Sequence, residues 1–256
     1  MSDEQSLIYK KDGRIARLTL NRPESLNAIN GSLAKELKDA LSDFDQDPDL
    51  WLAIVSGNGR CFCAGADLRQ GTQEPRRATS RLDYYYLDAP VNWKPVIAAV
   101  HGYCYGAGLV FAAECDLIVA TADAAFSIVE TKRGMPPITL SAQLATWMGS
   151  KKVTEMIVTG DPILAEEAHR LGLVNEVVPS YEELLPAAEA LAHRVLANPP
   201  MAVRTAIQAA RTSVFHSQVY RDSDLLFRNT RWQEWEDFKE GMLAFREKRP
   251  PVFKGR

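Results

Sequence analysis

The sequence predicts an α/β fold with mostly parallel strands, followed by a helical carboxy-terminal region. Apolar runs such as "VIAAV" (residues 96–100) read as short strands buried on both faces. Helix-patterned segments separate these runs in the first half of the chain. After about Leu140, helix patterns follow one another with little else between them.

Taken in order, "IARLTL" (15–20) alternates apolar and polar residues as a half-buried strand does. "NRPESLNAIN" (21–30) is turn chemistry, and the following segment places Leu33, Leu37, Leu41 and Phe44 at helical spacing. "WLAIVSG" (51–57) and "VIAAV" are continuous apolar strands. Residues 107–114 form a helix, and "DLIVA" (116–120) and "AFSI" (125–128) are two further strands. Beyond them, "AQLATWMG", "KKVTEMIVTG", "AEEAHRLG", "YEELLPAAEALAHRVLA" and "MAVRTAIQAARTSV" read as helices, several ended by glycine. The strand "LVNEVV" (173–178) interrupts them. A last long helix carries Trp232, Trp235, Phe238, Met242 and Phe245 on one stripe, the mark of core or subunit interface.

Composition narrows the function classes. The chain has 256 residues, 46% hydrophobic and 25% charged, with a formal net charge of -3. Basic residues are scattered, which argues against nucleic acid as a partner. The amino terminus lacks an apolar signal core and no run approaches a membrane span, so a cytoplasmic protein without membrane partners is expected. The four cysteines, Cys61, Cys63, Cys104 and Cys115, read as buried structural thiols rather than zinc ligands, because one C-x-C has no matching second pair.

The stretch "YGAGLVFAAECD" (105–116) sits between a strand and a helix. Gly106, Ala107 and Gly108 begin a dinucleotide fingerprint, but the third glycine position is Phe111. No acidic residue ends the next strand to bind a ribose. A phosphate loop is excluded by the absence of Gly-Lys-Ser/Thr. An oxyanion hole remains: two backbone N–H groups converging on a carbonyl oxygen as it becomes an enolate. A second glycine turn, "CFCAGADLRQG" (61–71), supplies the other donor, with Ala64, Gly65 and Ala66 small enough for a ligand to lie against main chain. Asp67 reads as a turn cap or loop brace at least as readily as a functional group.

With "LTLNRPESLNAI" (18–29), "CFCAGADL" (61–68), residues 96–120, "AFSIVETKRGMPP" (125–137) and "FREKRPPVFKGR" (245–256), the chain resembles the enoyl-CoA hydratase/isomerase (crotonase) family over nearly its whole length. The resemblance implies a crotonase-like spiral of β-β-α turns in residues 1–195, holding the CoA and the active site. Residues 196–256 would form a helical trimerisation region of a homotrimer or dimer of trimers. An acyl-CoA thioester would be the ligand, with coenzyme A part of the substrate and no separate cofactor or metal. Matched by position, the oxyanion donors are the N–H groups of Ala66 and Ala107. Ala28, Ala64, Asp67, Leu68, Gly106, Val110 and Pro137 would contact the substrate. Phe253 and Lys254 would meet the nucleotide, in this subunit or a neighbour.

Hydratases of the family are expected to use two glutamates around an attacking water. The first position is Val110 here and the second is Glu130. One mobile base above an enolate site can take a proton from one carbon and return it to another, which is isomerisation of a 3-enoyl-CoA to a trans-2-enoyl-CoA. Hydration or retro-aldol cleavage would need a substitute acid, for which Glu114 and Tyr84, Tyr85 or Tyr86 are candidates. Dehalogenase and dienoyl-CoA isomerase branches are disfavoured by Ile138. A catalytically decayed acyl-CoA-binding protein is the non-enzymatic alternative.

Overall fold

A computed structural model describes residues 5–70, 93–215 and 231–255. β1 (Leu7–Asp12) and β2 (Ile15–Leu20) form an antiparallel hairpin. α1 (Gly31–Gln46), capped by the Asn30 side chain on Leu33 N at 2.8 Å, leads to β3 (Leu52–Gly57), which pairs parallel with β2. β4 (Val96–Val100), β5 (Tyr103–Tyr105) and α2 (Ala107–Glu114) make one β-β-α turn. β6 (Leu117–Thr121), β7 (Ala125–Ser127) and α3 (Ile138–Met148) make the next. α4 (Ser150–Thr159), β8 (Ile163–Leu164), α5 (Ala165–Arg170), β9 (Glu176–Val178), α6 (Tyr181–Leu196), α7 (Pro200–Phe215) and α8 (Glu236–Glu247) complete the described chain.

The six-stranded sheet has the order β1-β2-β3-β4-β6-β9, and the three-stranded sheet the order β5-β7-β8. From β4 to β7 each consecutive strand therefore changes sheet. Gly102 makes the change between β4 and β5: its φ is +57°, and a Cβ there would collide with Arg60 O.

The apolar runs of the large sheet divide strictly by parity. Leu18, Leu20, Ala53, Val55, Val96, Ala98 and Val100 face a core shared with α1, α2 and α3. Ile15, Leu52, Ile54, Ile97 and Ala99 face the opposite core, closed by Leu184, Ala188 and Ala192 of α6. Both faces are covered, which is why β3 and β4 show no polar alternation, whereas β2 keeps Arg17 and Thr19 between its apolar residues.

Several elements differ from the sequence expectation. The strand expected at residues 173–178 shortens to β9, because Leu173 N and Val174 N both donate to Ala168 O and complete the turn after α5. Trp232 lies in a short 3-10 turn, Trp232–Glu234, and Trp235 is the exposed N-cap of α8, so the helix stripe begins only at Phe238. β1, β5 and β8 were not expected. Among the described residues no helix is long and apolar enough to cross a membrane.

Candidate active site

Three chain segments converge on one cavity of about 420 Å³. The first is the loop after β3. It pairs with β5 and the link before it through Phe62 N to His101 O (2.8 Å), Cys63 N to Tyr103 O (2.9 Å) and Tyr105 N to Cys63 O (3.0 Å). On its other side it pairs with the turn before α1, through Ile29 N to Gly65 O (2.8 Å) and Asp67 N to Ile29 O (2.9 Å). Ala66 N and Ala107 N, the first amide of α2, are donated to nothing among the described residues. The two loops nearly touch: a Cβ built on Gly65 would stand 3.8 Å from Ala107 N. Two uncommitted donors on adjoining loops, one of them at a helix start, are able to receive an anion.

The turn at residues 21–30 braces this corner. Asn27, fully buried with φ at +54°, donates to Asn58 O and Cys61 O at 2.8 Å each and accepts Arg22 N at 2.9 Å. Arg22 donates to Ala28 O and to Asp67 Oδ2, the latter at 3.0 Å. Asp67 also receives Arg69 Nε at 3.0 Å, and its side chain is 2% exposed. Hydrogen bonds from Arg69, then from Arg22, hold its carboxyl down at about 2. Asp67 is thus a permanently ionised brace of the loop.

The second segment is α2 with Gly106 before it, and the third is the turn after β7. Pairing of Tyr105 with Ser127, with Gly106 N donating to Ser127 O (3.0 Å), sets Glu130 against Gly106. Gly106 has φ at +50°, and a Cβ there would approach Glu130 Oε1 to 2.7 Å. Oε2 of Glu130 is buried without a hydrogen-bond partner. Burial pushes the carboxyl pKa above the ordinary value, against smaller opposing effects of nearby backbone N–H groups and the Arg133 charge.

Of the expected site residues, Ala28, Ala64, Ala66, Asp67, Leu68, Gly106, Ala107 and Glu130 line this cavity. Val110 instead packs half-buried against the large core, and Pro137 caps α3. Phe253 and Lys254 fold back onto the start of α8, where Lys254 N donates to Asp237 Oδ1 at 2.6 Å. Glu114 is buried at the far end of α2 and lines a separate cleft of about 210 Å³ with Asp116, Trp147 and Arg211. Tyr84, Tyr85 and Tyr86 lie outside the described residues. All four cysteines are free and buried, and burial pushes Cys63 up to about 12. Among the described residues no cluster of His, Cys, Asp and Glu is arranged to hold a metal ion.

Tyr103, Tyr105, Val129, Arg133, Met135 and Phe245 also form the wall, and sequence reasoning missed them. The tyrosines had a readable signal, an alternation about the buried Cys104. Phe245 comes from α8, which lies against the turn after Glu130 so closely that a Cβ on Gly241 would collide with Arg133 O and one on Gly134 with Asp237 O.

A sequence model of the family described as Enoyl-CoA hydratase/isomerase matches residues 10–256. The chain belongs to that family. It is 35% identical to the 2,3-dehydroadipyl-CoA hydratase of Escherichia coli, over 98% of this chain and 99% of that protein. It is 34% identical to the short-chain-enoyl-CoA hydratase of Clostridium acetobutylicum, over 95% of each. The crystal structure of carnitinyl-CoA hydratase from Mycobacterium avium superposes with a TM-score of 0.85 at 32% identity, covering 99% of this chain and 100% of that one. As a member of the enoyl-CoA hydratase/isomerase family with the crotonase fold, this chain is an acyl-CoA enzyme.

Proposed function

We propose that the enzyme isomerises 3-enoyl-CoA to trans-2-enoyl-CoA with Glu130 as its single mobile base. Three carboxylates line the cavity: Glu24, Asp67 and Glu130. Glu24 is exposed, Asp67 is locked between two arginines, and Glu130 alone keeps a buried, uncommitted oxygen. That oxygen is the observation supporting the reading.

The thioester oxygen sits on Ala66 N–H and Ala107 N–H. Glu130 removes a proton from C2, and the electrons pass through the dienolate to the oxygen held by the two amides. The same carboxyl returns the proton to C4, leaving the double bond between C2 and C3. Donors aimed at developing charge contribute about 3 kcal/mol each in comparable sites. By the family match the water-activating carboxylate would be at position 110, and Val110 has none, so hydration is the slower reaction.

Hydration is the second reading, supported by the hydratase names of the relatives. Isomerisation of 3-hexenoyl-CoA and hydration of crotonyl-CoA, measured on one preparation, decide between them. Hydration equal to or faster than isomerisation refutes the single-base mechanism. Absence of deuterium exchange at C2 and C4 would instead mark a binding protein. The assembly we propose is a homotrimer or dimer of trimers built through residues 196–256, with Phe253 and Lys254 near a nucleotide. Sedimentation velocity tests it.

A further inference from the structure

Arg133 lines the cavity, yet no carboxylate of the described residues forms an ion pair with it. Its Nη1 donates to Val129 O at 3.1 Å, and its guanidinium lies 4.7 Å from the centre of the Phe245 ring. Nε is buried with no hydrogen-bond partner, and Nη2 has none among the described residues either. Arg69, the other arginine of the wall, is committed to Asp67 and Ser25. A desolvated guanidinium is normally answered by an anion, and stacking on an aromatic ring offsets only part of that cost. The free Nε–Nη2 edge offers two parallel donors, the geometry that grips a carboxylate at both oxygens.

We propose that Arg133 is a specificity-determining residue that receives a carboxylate carried on the acyl group, so that the preferred ligands are CoA half-thioesters of dicarboxylic acids. This rests on the acyl-CoA reading of the cavity and is independent of which reaction follows. Arg133 follows Glu130 by one 3-10 turn, with Arg133 N donating to Glu130 O at 2.9 Å. The reacting carbons lie beside Glu130, so an anion on Arg133 is a few bonds away from them. The phosphates of CoA are separated from those carbons by the whole pantetheine arm, which favours the acyl carboxylate as the partner.

The test uses saturated thioesters, which bind without reacting, so failure of the isomerase mechanism leaves it untouched. Calorimetry compares adipoyl-CoA with hexanoyl-CoA on the wild type, Arg133→Met and Arg133→Lys. Adipoyl-CoA should bind the wild type about 10–100-fold more tightly than hexanoyl-CoA. Arg133→Met should erase that preference while leaving hexanoyl-CoA within about threefold, and Arg133→Lys should restore part of it. Equal or tighter binding of hexanoyl-CoA by the wild type overturns the proposal without any variant. Equal weakening of both ligands by Arg133→Met would reduce Arg133 to a tie between its turn and α8, and also overturns it. Adipoyl-pantetheine should show the same dependence on Arg133. A dependence that vanishes with the nucleotide would assign the arginine to a phosphate instead.

Discussion

Two of the three carboxylates in the wall of one cavity, Asp67 and Glu130, are treated oppositely. The loop carrying Asp67 is saturated: two arginines answer its carboxylate, and Asn27 ties the neighbouring turns together. The turn carrying Glu130 leaves polar atoms unanswered, namely Glu130 Oε2 and Arg133 Nε. On the proposed mechanism the difference follows the work each would do. Amide donors stabilise an enolate only if they are held where the charge will appear, which favours a rigid, fully bonded support. A base must change protonation during turnover, and any permanent hydrogen bond to its charged form would make it weaker.

The largest expected effect comes from removing the uncommitted oxygen chemistry. Glu130→Gln should lower kcat for isomerisation about 10²–10⁴-fold. Because burial raises the folded-state pKa of Glu130, its stabilising contribution is complete below the ordinary carboxylate value and is lost as pH rises through the shifted one. Glu130→Gln should therefore melt higher than the wild type at pH 7, with the gain shrinking in acid. Thermal denaturation across pH reads this directly, and a lower melting temperature at pH 7 would break the contrast.

Gly106→Ala comes next. It combines a strained φ with a collision against Glu130 Oε1, and a displaced base should cost about 10²-fold in kcat. Asp67→Ala probes the braced side: leaving Arg22 without its buried partner should cost about 3 kcal/mol of stability, measured by urea denaturation. Asp67 has the opposite pH sign to Glu130. Its contribution is present above the ordinary carboxylate value and is lost as pH falls toward about 2. The mildest effect is in the pH profile of kcat/KM, whose acid limb should lie above the ordinary glutamate range, with activity rising as Glu130 ionises.

The same contrast marks what was legible in the sequence. The parallel sheet was readable because its runs are apolar on both faces, and the boundaries of α2 matched the glycine pattern of residues 105–116. The small residues of the donor loops were readable too, since close approach to main chain demands them. β1 was missed because much of its length is exposed or half-buried and its pattern is weak. β8 was missed because two residues carry no periodicity, and β5 because its three residues give a single alternation about Cys104, too short to mark a strand by itself. Trp232 and Trp235 continue the helical spacing of α8, yet the chain turns before the helix begins, so spacing alone extended it too far. Phe245 and Arg133 meet through tertiary packing, for which no local pattern exists.

The crossing of α8 over the turn after Glu130 has a consequence for synthesis. A ribosome delivers the two loops and Glu130 long before it delivers Phe245, so a nascent chain displays this side of the cavity open to water. The wall that holds Arg133 in place arrives with the last helix described. A chain halted before Glu236 would carry the rest of the cavity wall without Phe245, and the cavity would be completed only once the last helix has folded back onto the turn after Glu130.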